Sequence, residues 1–390
     1  MPYLKKNIMK NKFIPIILST FFTLFLISCS DDDDTVANVV TPPDNYNFVD
    51  ASGNSTVSFT GQTARLKMAI DLYNGMKDNT KTKAQLTEMF KDGTGFTDAT
   101  LNSSGKKVRS KTFSSSNGHS ATVVTTFDNW IDDFTTNVIP NWTTAAANGT
   151  AGKLSDAGGR TVYINAKGHE LTQLFTKGLI GGMACDQIVN GYLAPVKITS
   201  SVKAANDAGT PYADGKNYTA LAHYWDEGFG YLYGLEADAK SPTLSSNGDV
   251  LLNKYLGKVE GGSQAGIAKI IYDAFVMGRA AIVAKNYTVM EAQAKIIQVN
   301  ISKVIAQKAH DYLTAYVSDK NAGKNADAIH SLSEGYGFIM SLQATNDGTG
   351  KPYFTATEVN AMLTKLDNFW TVTNSDCTDM ASQIKTKFGL

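Results

Sequence analysis

One pattern occurs twice. His223-Tyr-Trp-Asp-Glu227-Gly228-Phe229-Gly230-Tyr231-Leu232-Tyr-Gly234-Leu235 reappears as His330-Ser-Leu-Ser-Glu334-Gly335-Tyr336-Gly337-Phe338-Ile339-Met-Ser341-Leu342. Eight of the thirteen positions agree in residue type, which points to two copies of one helical unit and a duplicated, pseudo-symmetric domain. On a helical wheel, Leu221, Trp225, Gly228, Leu232 and Leu235 form one stripe, matched by Leu332, Gly335, Ile339 and Leu342. An adjacent stripe holds His223, Glu227, Gly230 and Gly234 in one copy and His330, Glu334, Gly337 and Ser341 in the other. Glycine inside a helix costs about 1 kcal/mol relative to alanine. Its recurrence along a stripe therefore predicts that another backbone comes close, either the other copy or the segment carrying Gly178, Gly181 and Gly182.

Apolar spacing predicts helices over Thr63–Lys77, Gln85–Phe90, Phe127–Val138, Gly168–Leu193, Tyr218–Leu235, Gln264–Lys285, Glu291–Val317, Asp327–Leu342, Thr355–Leu366 and Cys377–Phe388. Strand-like alternation is brief, with Thr56–Phe59 and Thr122–Thr126 the best cases. Long polar stretches at Lys91–Thr122 and Asn141–Asn165 read as elaborated loops. The expectation is an all-α protein of two pseudo-symmetric helical bundles with long loops. Its organisation is a signal segment (1–28), an acidic, polar tether (29–47), a first helical half (48–240) and a second (241–390).

The N-terminal segment predicts an address. Lys5, Lys6, Lys10 and Lys12 precede an apolar run from Phe13 to Ile27. That run is shorter than the roughly 20 residues a spanning helix needs and fits a secretory signal. It ends in Leu26-Ile27-Ser28-Cys29, which resembles a bacterial lipobox, so Cys29 is the expected lipidation site. Each buried methylene of an acyl chain contributes about 0.8 kcal/mol, so several chains hold a protein stably at a membrane. The acidic run Asp31–Asp34 resembles the surface-export signal of some Gram-negative lipoproteins. The expected location is the outer membrane, displayed on the cell surface.

Without residues 1–28 the chain carries 32 basic and 36 acidic side chains, a net of −4. That balance argues against nucleic-acid binding. Beyond Cys29 only Cys185 and Cys377 remain, too few for a disulfide framework; they either pair once or stay as small buried groups. The chain has no phosphate-cradling glycine loop after a strand and no serine elbow, so nucleotide and acyl-transfer enzymes find no support.

Two sets of residues could carry chemistry. The duplicated His223/Glu227 and His330/Glu334 place imidazole and carboxylate one helical turn apart. They read either as polar clasps between packed helices or as donors for a divalent or iron ion. His169-Glu170-Leu171-Thr172-Gln173 departs by one residue from the zinc-peptidase pattern His-Glu-x-x-His. A neutral amide at Gln173 is a poor zinc ligand.

Lys167-Gly168-His169-Glu170, Lys177-Gly178-Leu179-Ile180-Gly181-Gly182, Asp186-Gln187 and the two His-Glu-Gly-aromatic-Gly segments together resemble an uncharacterised group of Gram-negative surface lipoproteins. That group is distantly similar to the imelysins, or iron-regulated protein A-like proteins. The resemblance covers most of the chain from Tyr46 onward. It implies an all-helical fold of two similar bundles, a link to iron or haem uptake and an outer-membrane transport partner. Imelysins carry Gly-x-His-x-x-Glu at the corresponding helix; here Glu170 stands where His is expected and Gln173 where Glu is expected. His169, one position away, faces about 100° off on the wheel. The resemblance therefore implies no peptidase activity.

The leading expectation is a surface-anchored, non-enzymatic binding lipoprotein serving metal or nutrient acquisition, with His223, Glu227, His330, Glu334, Glu170 and Gln173 as the binding residues. A degenerate metallohydrolase using His169, Glu170 and one His-Glu pair is an alternative. A protein-interaction scaffold presenting the two long loops is another.

Overall fold

The computed structural model describes residues 39–115, 121–244 and 251–390; the signal segment, Cys29 and the acidic run lie outside them. Among the described residues there are thirteen α-helices and one two-stranded sheet, so the chain is all-α. In chain order the helices are α1 (Thr60–Gly75), α2 (Lys83–Thr87), α3 (Ala99–Asn102), α4 (Ala121–Asp133), α5 (Leu171–Leu179), α6 (Ser200–Asp207) and α7 (Ala220–Tyr233). Then come α8 (Leu252–Glu260), α9 (Ile267–Val283), α10 (Tyr287–Asn321), α11 (Asn325–Ser341), α12 (Ala356–Lys365) and α13 (Asn374–Phe388). All ten helices expected from apolar spacing are present, four of them extended by π-helical or 3₁₀ turns.

Where helices begin follows local chemistry. Thr219 accepts from the Ala222 N–H to start α7, Asn286 from Val289 to start α10, and Thr355 with Glu358 forms a reciprocal capping box before α12. α11 lacks a cap of its own: Lys324 offers none, and the first-turn Ala326 and Asp327 amides bond instead to the Asp156 carboxylate at 3.0 and 3.1 Å. Asp156 belongs to a hairpin of β1 (Gly152–Ser155) and β2 (Thr161–Ile164), paired antiparallel with Gly152 opposite Ile164. That hairpin corrects the reading of Asn141–Asn165 as a plain loop.

The two segments expected to be strand-like are not strands: Thr56–Phe59 is irregular and Thr122–Thr126 lies in α4. Threonine and valine read as strand formers in isolation, but α4 turns Phe127, Trp130 and Ile131 into the core, and that packing outweighs propensity. Much of Lys91–Thr122 also joins the core, through the buried Phe96, Leu101, Val108 and Phe113; residues 116–120 lie outside the described part.

α10, 35 residues long, is the spine. It packs most extensively against α11, α9 and α13. α9, α10 and α11 follow one another through the short connections 284–286 and 322–324, the natural linkage of antiparallel neighbours. α5 lies against α11, and α1 and the turns after α5 lie against α7. Residues Asn38–Leu390 form one compact unit in which elements from either side of residue 240 interleave. No helix of the described residues is long and apolar enough to cross a membrane.

The close approach predicted from glycine is present, and the visitor to α11 is the glycine-bearing α5 segment. A Cβ placed on Gly337 would stand 2.5 Å from the Lys177 Cβ and 2.7 Å from the Gly178 nitrogen. One placed on Gly181 would stand 2.0 Å from the Ser341 side chain. Glu170–His330, Lys177–Gly337 and Gly181–Ser341 are all 160 residues apart, so α5 and α11 run parallel in fixed register. α7 has a parallel partner too: Gly230 faces Phe59 and Gly234 faces Thr63, both at a separation of 171.

Gly337→Ala gives the direct check. In an open helix the change stabilises by about 1 kcal/mol. Here it forces two backbones apart and is expected to cost about 1–3 kcal/mol, read from the urea midpoint at unchanged slope.

Candidate functional site

The second His–Glu pair is a closed ionic chain. Glu170, at the N-terminus of α5, donates its backbone N–H to the buried Ser333 hydroxyl oxygen of α11 at 3.0 Å. Its carboxylate, which can only accept, takes a hydrogen bond from His330 Nδ1 at 2.7 Å. His330 Nε2 stands 3.7 Å from Glu334 Oε2. Glu334 Oε1 is met at 2.9 Å by the ammonium of Lys177, a side chain with no solvent exposure that also lies 5.4 Å from the centre of the Tyr255 ring. Burial pushes the Glu334 carboxyl up, but Lys177 and then His330 outweigh it and hold its pKa down to about 2. An ammonium thus occupies the place a cation would need at Glu334.

The first pair has different neighbours. His223 Nε2 lies 3.9 Å from Glu227 Oε2, too far for a hydrogen bond, and both side chains keep a window to solvent. His223 Nδ1 is buried without a hydrogen-bond partner. The ring packs among Tyr212 (4.6 Å between centroids) and Tyr218 (5.1 Å), with Tyr224 beyond. Glu227 Oε1 accepts from Gln62 Nε2 of α1 at 2.8 Å. Tyr212 sits on a turn closed by its own N–H to the Tyr218 carbonyl and is 44% exposed. Lys197 and Lys111 stand over the Tyr224 and Tyr192 rings at 4.8 and 5.6 Å.

The two pairs therefore share no neighbour in either set of contacts. The structure brings Glu170, His330 and Glu334 together with Lys177, and brings His223 and Glu227 together with Gln62 and a cluster of tyrosines. Gln173 joins neither: it is buried in α5 and its Oε1 has no partner. His169 is buried too, its Nε2 donating to the Leu366 carbonyl at 3.1 Å, and burial lowers its pKa to about 4. Adjacent in sequence, His169 and Glu170 thus bond to different elements, and no His-Glu-x-x-His geometry is assembled. Among the described residues no three or more His, Cys, Asp or Glu side chains are grouped to hold a metal ion. Cys185 and Cys377 are both buried and unpaired with each other.

A second buried ion pair escaped the sequence reading. Asp226, one residue before Glu227 and fully buried, accepts from Arg279 Nε of α9 at 3.0 Å and from Tyr46 Oη at 2.7 Å. The Ser58 N–H reaches its other oxygen at 3.2 Å, and Tyr46 stacks on Phe229 at 3.6 Å. Asp226 is preceded by apolar Trp225 in the pattern, and only its absence from the second copy, where Ser333 stands, could have singled it out.

Removing one partner from the closed chain should expose its cost. Lys177→Met leaves the buried Glu334 without its ammonium partner and should lose about 3–5 kcal/mol in chemical unfolding, whereas Lys177→Met combined with Glu334→Leu should recover most of it. Because the folded pKa of Glu334 is depressed from 4.5 to about 2, its contribution is complete above pH 4.5 and disappears as pH falls through 2. The stability difference between wild type and Glu334→Gln should accordingly be flat above about pH 5 and shrink across that window.

No curated protein and no solved structure matches the chain. A family model described as "Domain of unknown function (DUF4856)" matches residues 43–390. With nearly the whole described region matched, the chain belongs to the DUF4856 domain family.

Proposed function

We propose that this protein is a lipid-anchored, non-enzymatic binding protein of the outer-membrane surface, that its ligand site is the His223/Glu227 recess, and that its task is nutrient capture. One observation carries the choice of site: neither nitrogen of His223 is spent on a protein hydrogen bond, whereas His330 is locked onto Glu170. Leaving a buried polar atom unpaired costs about 1–3 kcal/mol, and such a cost is more readily tolerated at a site with a ligand than at a purely structural one. The His330/Glu334 pair, tied to Glu170 and Lys177 of the α5 segment, acts as a clasp between α5 and α11.

Support for the anchor comes from the lipobox-like Leu26-Ile27-Ser28-Cys29 and the acidic run behind it. The distant imelysin likeness belongs to this proposal as well. Its support is the pair of parallel contacts, α1 with α7 and α5 with α11, an arrangement a duplicated ancestor would leave. Nutrient capture is favoured over metal capture because one imidazole and one carboxylate are too few donors for a stable ion site.

Thermal unfolding of the purified chain, screened against small nutrients and against Zn²⁺, Mn²⁺ and Fe²⁺, tests the site. A ligand at 100 times its Kd should stabilise wild type by about 2.7 kcal/mol. That shift should vanish in His223→Ala and persist in His330→Gln. A screen whose hits all survive His223→Ala sinks this assignment. Cys29→Ser should move the protein from the membrane to the soluble fraction; retention at the membrane would remove the anchor from the proposal.

A further inference from the structure

The chemistry around His223 narrows the ligand class, given that the recess is the binding site as proposed above. Three features of the recess matter: its rings, its hydrogen-bonding edge and its charge.

Tyr212, Tyr218 and Tyr224 surround the imidazole, and Tyr212, nearly half exposed, presents ring surface to solvent. Tyr212 and Tyr218 lie within 25° of parallel at 6.2 Å. Such surface rewards a ligand with a flat apolar face of C–H groups. Beside the rings, His223 Nε2 and Glu227 Oε2 stand 3.9 Å apart. One hydroxyl at about 2.8 Å from each spans that gap, accepting from the imidazole N–H and donating to the carboxylate. Hydrogen bonds to a charged group are worth about 1.5–3 kcal/mol, more than neutral ones. Gln62, already bonded to Glu227, holds that carboxylate in place.

The charge pattern excludes the obvious competitors. A tyrosine cluster with one carboxylate would suit an organic ammonium ion. Here, however, Lys197 and Lys111 already stand over the Tyr224 and Tyr192 rings, and Arg65 is close enough to Lys111 to lower the Lys111 pKa after burial has done so. A second cation would meet those three. An anionic group placed in the gap between His223 Nε2 and Glu227 Oε2 would stand directly against the carboxylate. A neutral ligand that combines an apolar face with several hydroxyls meets neither objection.

We infer that the His223/Glu227 recess binds a neutral carbohydrate, one sugar ring stacking on Tyr212 while a hydroxyl bridges His223 Nε2 and Glu227 Oε2. No bond is made or broken in this step. The specificity arises from one stacked face and one bridging hydroxyl, so neutral oligosaccharides should bind and sugar phosphates should not.

The test uses the mature chain on a glycan array, followed by titration calorimetry with maltotriose, cellotriose, xylotriose and chitotriose, and with Zn²⁺ alone. The expected result is saturable binding of at least one neutral glycan, weakened about tenfold or more by Tyr212→Ala and by Glu227→Gln, each at unchanged unfolding temperature without ligand. Glu227→Gln keeps the volume and Tyr212 is largely exposed, so either variant keeps the test open should the other unfold. Glycan binding unaffected by both substitutions, or no glycan bound by wild type, overturns the carbohydrate assignment. If His223-dependent binding is then found only for Zn²⁺ or for a charged nutrient, the recess stands as the site and the ligand class falls. If no ligand of any kind depends on His223, both fall.

Discussion

α5 and α11 touch backbone to backbone, and much of the interior follows from that contact. Gly337 admits Lys177 and Gly178, and Gly181 admits Ser341, at distances no larger residue would allow. Helices this close leave no path by which the Lys177 side chain can reach water, and it is fully buried. An ammonium in that position needs an anion, and Glu334 on the facing helix supplies it. Glu334 in turn brings His330 into its field, and His330 brings Glu170 to the start of α5. Small residues thus create the geometry, and the polar chain is what that geometry requires. Such a chain contributes little net stability over an apolar replacement, yet it specifies register, because a slip of α5 by one residue would leave several buried groups unpaired.

The same motif on α7 has a different fate for reasons outside the motif. Its close neighbour across the glycines is Phe59 of the segment leading into α1, where α11 has Lys177. Among the described residues Glu227 has no ammonium in salt-bridge contact and accepts instead from the neutral amide of Gln62. His223 meets tyrosines rather than a second carboxylate. Two similar sequences therefore end as a clasp and as a partly exposed pair in which His223 Nδ1 has no hydrogen-bond partner among the described residues, and the difference lies in the partners that the topology brings to each.

Other partners come from far along the chain. Asp156 in the hairpin caps α11 across 170 residues, and Ser333 in α11 receives the first amide of α5 across 163. Tyr46 and Ser58 fasten the segment before α1 to Asp226, which Arg279 holds from α9. The result is that the last residues of the segment expected to be a tether (29–47) are built into the core: Tyr46 is 2% exposed and stacks on Phe229.

Local pattern was enough to place the helices, because an apolar stripe at a period of 3.6 can be buried in few ways, and the glycine stripes announced a close contact before its partner was known. It also placed both copies of the repeated pattern on helices, now α7 and α11. It missed α3, α6 and α8, which are short, and the hairpin, whose strands of four residues carry almost no period. It read Thr122–Thr126 as strand-like because propensity is weak against the burial of Phe127 and Trp130. What it had no means to decide was pairing: that Lys177 meets Glu334, that Glu170 meets His330, that Gln173 Oε1 finds no hydrogen-bond partner among the described residues, and that the two His–Glu pairs stand apart. Those contacts join residues more than 150 positions distant, and their existence depends on helix register and approach, which only the assembled tertiary structure sets.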